Sequence, residues 1–222
     1  MNSLAQQLRA QTWPAHREVE STRFVRALLG GRLDRPRYCL LLASLHPIYA
    51  ALERALRRHA GDAGLAGACE PALRREAALR DDLNHLHGED WPDTLPPQPA
   101  ALDYAAHLDT LDRDAPQLLL AHAYVRYLGD LSGGQVLRRV VARSLGLAGN
   151  DGTRFYDFGS DESTAALTQQ FRAALERPEP HDGADTAIVE EALAAFARHQ
   201  RLFEELERAG SAGIADAAAS RS

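Results

Sequence analysis

No lysine occurs in this chain: all 25 basic side chains other than histidine are arginine. Genome composition explains that bias as readily as chemistry does, so it excludes no function by itself. Cysteine is nearly absent too. Cys39 and Cys69 stand alone, without a CxxC pair or a Cys/His cluster, which fits a reducing compartment and argues against a structural zinc site. No stretch approaches 18 continuous apolar residues, so no membrane span is expected. The start, MNSLAQQLRAQ, lacks the basic and apolar regions of a signal peptide. The expectation is a soluble, cytoplasmic protein. Positive charge is not in excess. With 31 acidic residues against 25 basic ones and a net charge of −6, a general nucleic-acid binder is disfavoured, and no nucleic-acid partner is expected.

What remains is enough to build a core. The apolar fraction is 45% over 222 residues, room for one large domain or two small ones. Every periodic segment is helical, with no visible strand pair and no internal repeat. Ser3 can cap a first helix bearing Leu4 and Leu8, Thr12-Trp-Pro14 is expected to interrupt it, and helix resumes through His16, Val19 and Glu20. His16 and Glu20 are four apart and share a face. Gly30-Gly31 ends this region, and Asp34 caps a helix with Pro36 in its first turn. That helix carries a wide apolar stripe from Tyr38 through Ile48 and Tyr49 to Leu56. Residues 59–67 read as a loop, Pro71 to about His87 as helix, and the proline-rich stretch 90–99 as a connection within one domain. A helix with Ala101, Tyr104, Leu108 and Leu111 follows, and Pro116 starts the next. Later helices carry Leu167, Phe171 and Leu175, and then Ile188 to Leu206, the latter over about Thr186–Arg208, with a loop at 178–183 before it. The expected division is one domain over residues 1–208 and a disordered tail over 209–222.

The segment from His122 to Val141, HAYVRYLGDLSGGQVLRRVV, stands out. Its ends are periodic as helix, but Gly129, Gly133 and Gly134 each disfavour helix by about 1 kcal/mol relative to alanine, so a break or kink is expected. Glycine lets backbone approach a flat ligand closely. Asp130 and Ser132 place polar groups beside it. On spacing alone, a kinked helix packed tightly on its neighbour explains the glycines equally well.

The run from Tyr124 to Gln135, YVRYLGDLSGGQ, resembles the signature segment of the haem oxygenases, and the resemblance extends from about Leu8 to Leu206. It implies an all-α, single-domain fold with haem held between a proximal first helix and a kinked, glycine-rich distal helix. It implies oxidative cleavage of haem to biliverdin, ferrous iron and carbon monoxide, with α-meso cleavage as the default. Haem would be both substrate and cofactor. Dioxygen and an external electron donor would also be needed: a ferredoxin, a flavin reductase or a small reductant. A downstream biliverdin acceptor, such as a bacteriophytochrome, is a conceivable partner. By the same resemblance His16 matches the iron ligand and Glu20 the residue one turn on. Asp130 would work through ordered water with Tyr49, Tyr104 and Arg126, above the backbone of Gly129, Ser132, Gly133 and Gly134. Arg172, in Gln-Gln-Phe-Arg, matches a propionate-binding arginine. Arg9 and Tyr124 would assist it, and Phe196 and Phe203 match aromatics near the haem.

Three positions depart from the family pattern. Trp13 stands where many relatives have a basic residue, Thr168 where some have lysine, and His199 where animal relatives carry asparagine. Two rival functions are a non-enzymatic haem carrier, which needs only His16 and an apolar slot, and a thiaminase-like all-α enzyme, for which Cys39 and Cys69 offer no setting.

Overall fold

The computed structural model describes residues 3–176 and 182–219, with side chains described to residue 210. Among the described residues there are nine α-helices and no strands. Helix α1 spans Leu4–Ser21 and is capped by Ser3 as expected, here within a full capping box: the Gln6 amide donates to the Ser3 hydroxyl, and the Gln6 side chain accepts from the Ser3 amide. It runs through Pro14 without the expected break. The carbonyl that Pro14 frees belongs to Ala10 on the exposed face, where water can take it, and packing of α1 on the last helix holds the turn.

Helix α2 (Arg23–Leu29) is short. Gly31, at φ +63°, turns the chain into α3 (Arg35–Arg58), whose N-cap Asp34 accepts from the Arg37 amide. By length and composition α3 could cross a membrane, but 72% of its apolar window is buried inside the protein. It is the central helix. Tyr38, Leu42, Ile48, Tyr49 and Leu52 are all fully covered by its neighbours. Those neighbours are α4 (Glu76–Leu86), α6 (Pro99–Asp114) and α7 (Leu119–Leu145). The region 71–87, read as one helix, divides into a 3-10 turn at Pro71–Leu73 and α4. A single turn, α5 (Trp91–Thr94), lies inside the proline-rich connection. Helix α8 spans Asp161–Leu175 and is capped by Ser160. Helix α9 spans Asp182–Ala219, past the expected end near Arg208. Most of the loop expected at 178–183 lies outside the described residues.

Helix α7 is continuous for 27 residues through all three glycines. Its flanking residues explain why. Tyr127, Leu131 and Val141 are buried on it, each worth roughly 1.5–3 kcal/mol, which outweighs about 1 kcal/mol per glycine.

Candidate active site

Two neighbouring stripes of α7 define the site. Gly129, Ser132, Gly133 and Val136 follow the i, i+3, i+4, i+7 rule of one helix face. Gly129, Ser132 and Val136 are exposed and Gly133 is half-buried. A Cβ added at Gly129 or Gly133 would meet nothing within 4 Å. Gly134 differs. It is buried, and a Cβ there would stand 3.3 Å from the Tyr156 carbonyl oxygen, so it serves the packing of α7 on the 3-10 turn Arg154–Tyr156 and not the open stripe.

The second stripe is His122, Arg126 and Asp130, at successive four-residue steps and largely or wholly buried. The Tyr49 hydroxyl, from α3, donates to Asp130 Oδ2. Arg126 donates to the Tyr49 oxygen from Nε at 2.8 Å and from Nη2 at 2.6 Å, and to Asp130 Oδ1 at 3.0 Å. The three groups close a ring of charge-assisted bonds. Burial pushes the Asp130 carboxyl above its ordinary range, and the adjacent Arg126 guanidinium opposes that. Burial likewise drives the Tyr49 phenol well up. Burial works against the Arg126 charge, but Asp130 and Tyr49 outweigh it. The result is a carboxylate fixed by Arg126 and Tyr49, with its proton affinity raised by burial.

Tyr104, expected to join Asp130, is bonded elsewhere. Its hydroxyl lies 2.8 Å from His122 Nδ1, and His122 Nε2 lies 3.0 Å from Glu191 Oε1. His107 Nε2 meets the same oxygen at 2.7 Å. Sequence reasoning missed His107 and Glu191, because nothing in the order of residues links 107, 122 and 191. His199 is fully enclosed, with its ring edge-on to Tyr104 and stacked on Phe203. Neither ring nitrogen has a hydrogen-bond partner, and burial holds its pKa far below the usual histidine value.

His16 stands on α1. Its side chain is 40% exposed. Nδ1 is the covered nitrogen, 3.6 Å from Glu20 Oε2 and just beyond hydrogen-bond reach, so the exposed part of the ring carries Nε2. Trp13 stacks on one face with ring centroids 5.7 Å apart, and Phe196 meets the ring edge-on at 6.0 Å. Helices α1 and α7 approach through Thr12 Oγ1 and the Tyr124 hydroxyl, 3.5 Å apart. An imidazole with a free nitrogen, set among aromatic rings near a helix with a side-chain-free stripe, suits a flat metal-bearing ligand held by one axial histidine. Arg9 and Arg172 are exposed. Phe203 packs deeper, stacked on Phe24. Thr168 donates to the Thr164 carbonyl on its own helix.

Comparison with known proteins agrees with this geometry. The family model "Heme oxygenase" matches residues 2–205. A haem oxygenase of Pyropia yezoensis is 38% identical over 93% of this chain and 87% of its own length. Human haem oxygenase 1 is 36% identical over 92% of this chain and 72% of its own. Among solved structures, haem oxygenase-2 from Synechocystis in complex with haem and NO superposes with a TM-score of 0.90 at 34% identity, over 96% of this chain and 88% of that one. The haem oxygenase of Leptospira interrogans gives 0.87 at 35% identity, over 92% and 100%. A match of this extent, reaching through α1, α7 and α9 together, makes the chain a member of the haem oxygenase family.

Proposed function

We propose that the chain is a haem oxygenase that uses dioxygen and externally supplied electrons to cleave haem at the α-meso carbon, giving biliverdin, ferrous iron and carbon monoxide. One observation carries the reading: the side-chain-free stripe of Gly129 and Gly133 runs directly beside the buried Tyr49–Arg126–Asp130 ring. When bound, haem supplies the oxygen-activating iron and the ring to be cleaved. The protein's part is to hold, orient and manage protons. His16 would hold the iron through its imidazole. Trp13 and Phe196 fix the plane of its ring. Glycine at 129 and 133 lets the backbone of α7 lie against a flat face. Arg172 and Arg9 take the propionates and set the rotation of the ring in its slot. Asp130 exchanges a proton through water, held in place by Arg126 and Tyr49.

A haem carrier would use the same slot. Burying the Arg126–Asp130 pair costs several kcal/mol of desolvation before its bonds offset it, and a carrier has no use for such a group. The experiment is to add haem, ascorbate and air to the wild type and to His16→Ala, and to follow the visible spectrum. The wild type should lose the Soret band as a broad red biliverdin band grows. His16→Ala should still take up haem without turning it over, and added imidazole should restore part of the activity. A stable haem spectrum in the wild type would favour the carrier.

A further inference from the structure

Away from the slot, on the far side of Tyr104, three helices converge on one point: His107 from α6, His122 from α7 and Glu191 from α9. Their donor atoms, His107 Nε2, His122 Nε2 and a Glu191 carboxylate oxygen, lie within 4.8 Å of one another. Side-chain exposures are 23%, 0% and 14%, so the cluster is sheltered but reachable from solvent past His107 and Glu191. We propose that His107, His122 and Glu191 form a binding site for a divalent first-row transition ion, with zinc the best fit.

The donor set carries the choice of ion. Two imidazoles and one carboxylate suit zinc and its neighbours, whereas magnesium and calcium prefer oxygen alone. Zinc–ligand distances of about 2.0–2.1 Å imply ligand separations of roughly 3.3 Å in a tetrahedron. The two histidine–Glu191 separations, 2.7 Å and 3.0 Å, need to open by a few tenths of an ångström, while the two imidazole nitrogens, within 4.8 Å of each other, need to close toward that value by a swing of the partly exposed His107 ring. Three protein ligands leave a fourth position for water.

The surroundings prepare the ligands. His122 is wholly buried and bonded at both ring nitrogens, to Tyr104 through Nδ1 and to Glu191 through Nε2. Glu191 Oε1 meets both imidazoles, His107 at 2.7 Å and His122 at 3.0 Å. An ionised Glu191 makes Nε2 the protonated nitrogen of His122, so Nδ1 accepts from the Tyr104 hydroxyl. When metal takes Nε2, the ring proton belongs on Nδ1 and the Tyr104 oxygen becomes its acceptor. A polar partner on the outer nitrogen is the usual support of a metal-bound histidine. The opposing influence is positive charge. Arg198, whose guanidinium lies 6.0 Å from the Tyr104 ring centroid, stands near the cluster, and among the described residues Glu191 is the carboxylate that offers a donor atom there. Affinity in the micromolar range is therefore expected, below that of a buried thiolate site.

The test uses the untagged full-length chain in the His16→Ala background, which removes the exposed imidazole of the slot and makes the result independent of haem. Zinc binding is measured by equilibrium dialysis, and cobalt(II) reports coordination through its visible bands. One equivalent of zinc should bind, and the cobalt bands should be those of a low-coordinate nitrogen–oxygen site. His107→Ala and Glu191→Gln, both at partly accessible positions, should each weaken binding by about tenfold or more, a loss of at least about 1.4 kcal/mol, with far-UV circular dichroism unchanged. Absence of stoichiometric binding, or undiminished binding in both variants, overturns the site.

Discussion

The two stripes of α7 face different problems and solve them in opposite ways. His122, Arg126 and Asp130 are polar and buried, and each finds its partners on another helix: Glu191 on α9, Tyr49 on α3, Tyr104 on α6. Gly129 and Gly133 leave space where a Cβ would stand, and Ser132 and Val136 on the same face are exposed. The buried stripe makes the open one possible. Glycine in mid-helix weakens the helix, and bonds from its neighbours to three other helices keep it continuous. A surface defined by missing side chains needs adjacent residues that pin it. Gly134, one residue beyond Gly133, shows that glycine alone does not mark the ligand face: its missing Cβ makes room for the Tyr156 carbonyl.

The largest expected effect comes from filling the open stripe. Leucine is a better helix former than glycine by close to 1 kcal/mol, and nothing lies within 4 Å of a Cβ at position 133. Gly133→Leu should keep or raise the melting temperature while abolishing biliverdin formation. Gly134→Ala should do the reverse. Its Cβ crowds a backbone oxygen at 3.3 Å, a strain of about 1–3 kcal/mol set against a helix gain of about 1 kcal/mol, so stability should stay level or fall, while turnover persists below the melting temperature. If Gly133→Leu unfolds the protein, or Gly134→Ala alone stops turnover, the two glycines have been assigned to the wrong stripes.

On the buried stripe, Asp130→Ala should bind haem with the His16 coordination intact yet give little biliverdin per haem. It also leaves Arg126 without its carboxylate, and breaking such a buried pair costs roughly 3–5 kcal/mol, so yields must be compared at equal folded fraction. Asp130→Asn keeps an acceptor for the Tyr49 hydroxyl and can still position water, so it should retain part of the yield. Wild-type yield from Asp130→Ala would reduce Asp130 to a strut of the helix.

Much of this contrast was legible in the sequence. The 3.6-residue period gave the helices, and Gly129, Asp130 and Gly133 were visible as a polar, side-chain-poor patch. Two inferences failed because local propensity lost to packing. Pro14 did not break α1, and three glycines did not break α7, since propensity weighs about 1 kcal/mol per glycine against the burial of whole side chains. The partners of the buried groups were harder to see. That Tyr104 meets His122 and not Asp130 depends on how α6 is turned against α7. The convergence of His107, His122 and Glu191 depends on three helices far apart in sequence, which no spacing rule reaches.

At the rim of the slot the expected effects are smaller. Arg172 is exposed, so its charge is mostly solvated before it meets a ligand. Losing one charge-assisted contact to a propionate should weaken haem binding by roughly 1.5–3 kcal/mol. Isomer composition is the sharper measurement, since the propionates set ring rotation. Arg172→Ala should shift the ratio of biliverdin isomers more than it slows turnover. Unchanged affinity together with an unchanged isomer ratio would make Arg172 an ordinary surface arginine.

The smallest effect concerns His199, which lies beside the buried stripe without a hydrogen bond of its own. Burial, followed by the charges of Arg126 and His122, holds its folded pKa well below the ordinary 6.5. The sign follows from linkage. Below pH 6.5 the unfolded chain binds a proton at this residue that the folded chain refuses, so stability falls as the pH drops toward the folded pKa. One such group contributes a slope of up to about 1.4 kcal/mol per pH unit. Other groups titrate nearby: His46 and His122 act in the same direction, and Asp82, raised to about 6 by burial, acts against them. These largely cancel when the wild type is compared with His199→Asn. Urea unfolding of both proteins from pH 7 to pH 5 should show a shallower dependence in the variant, whatever its absolute stability. Parallel curves would mean that His199 accepts its proton in the folded state, with an acceptor for it inside the distal core.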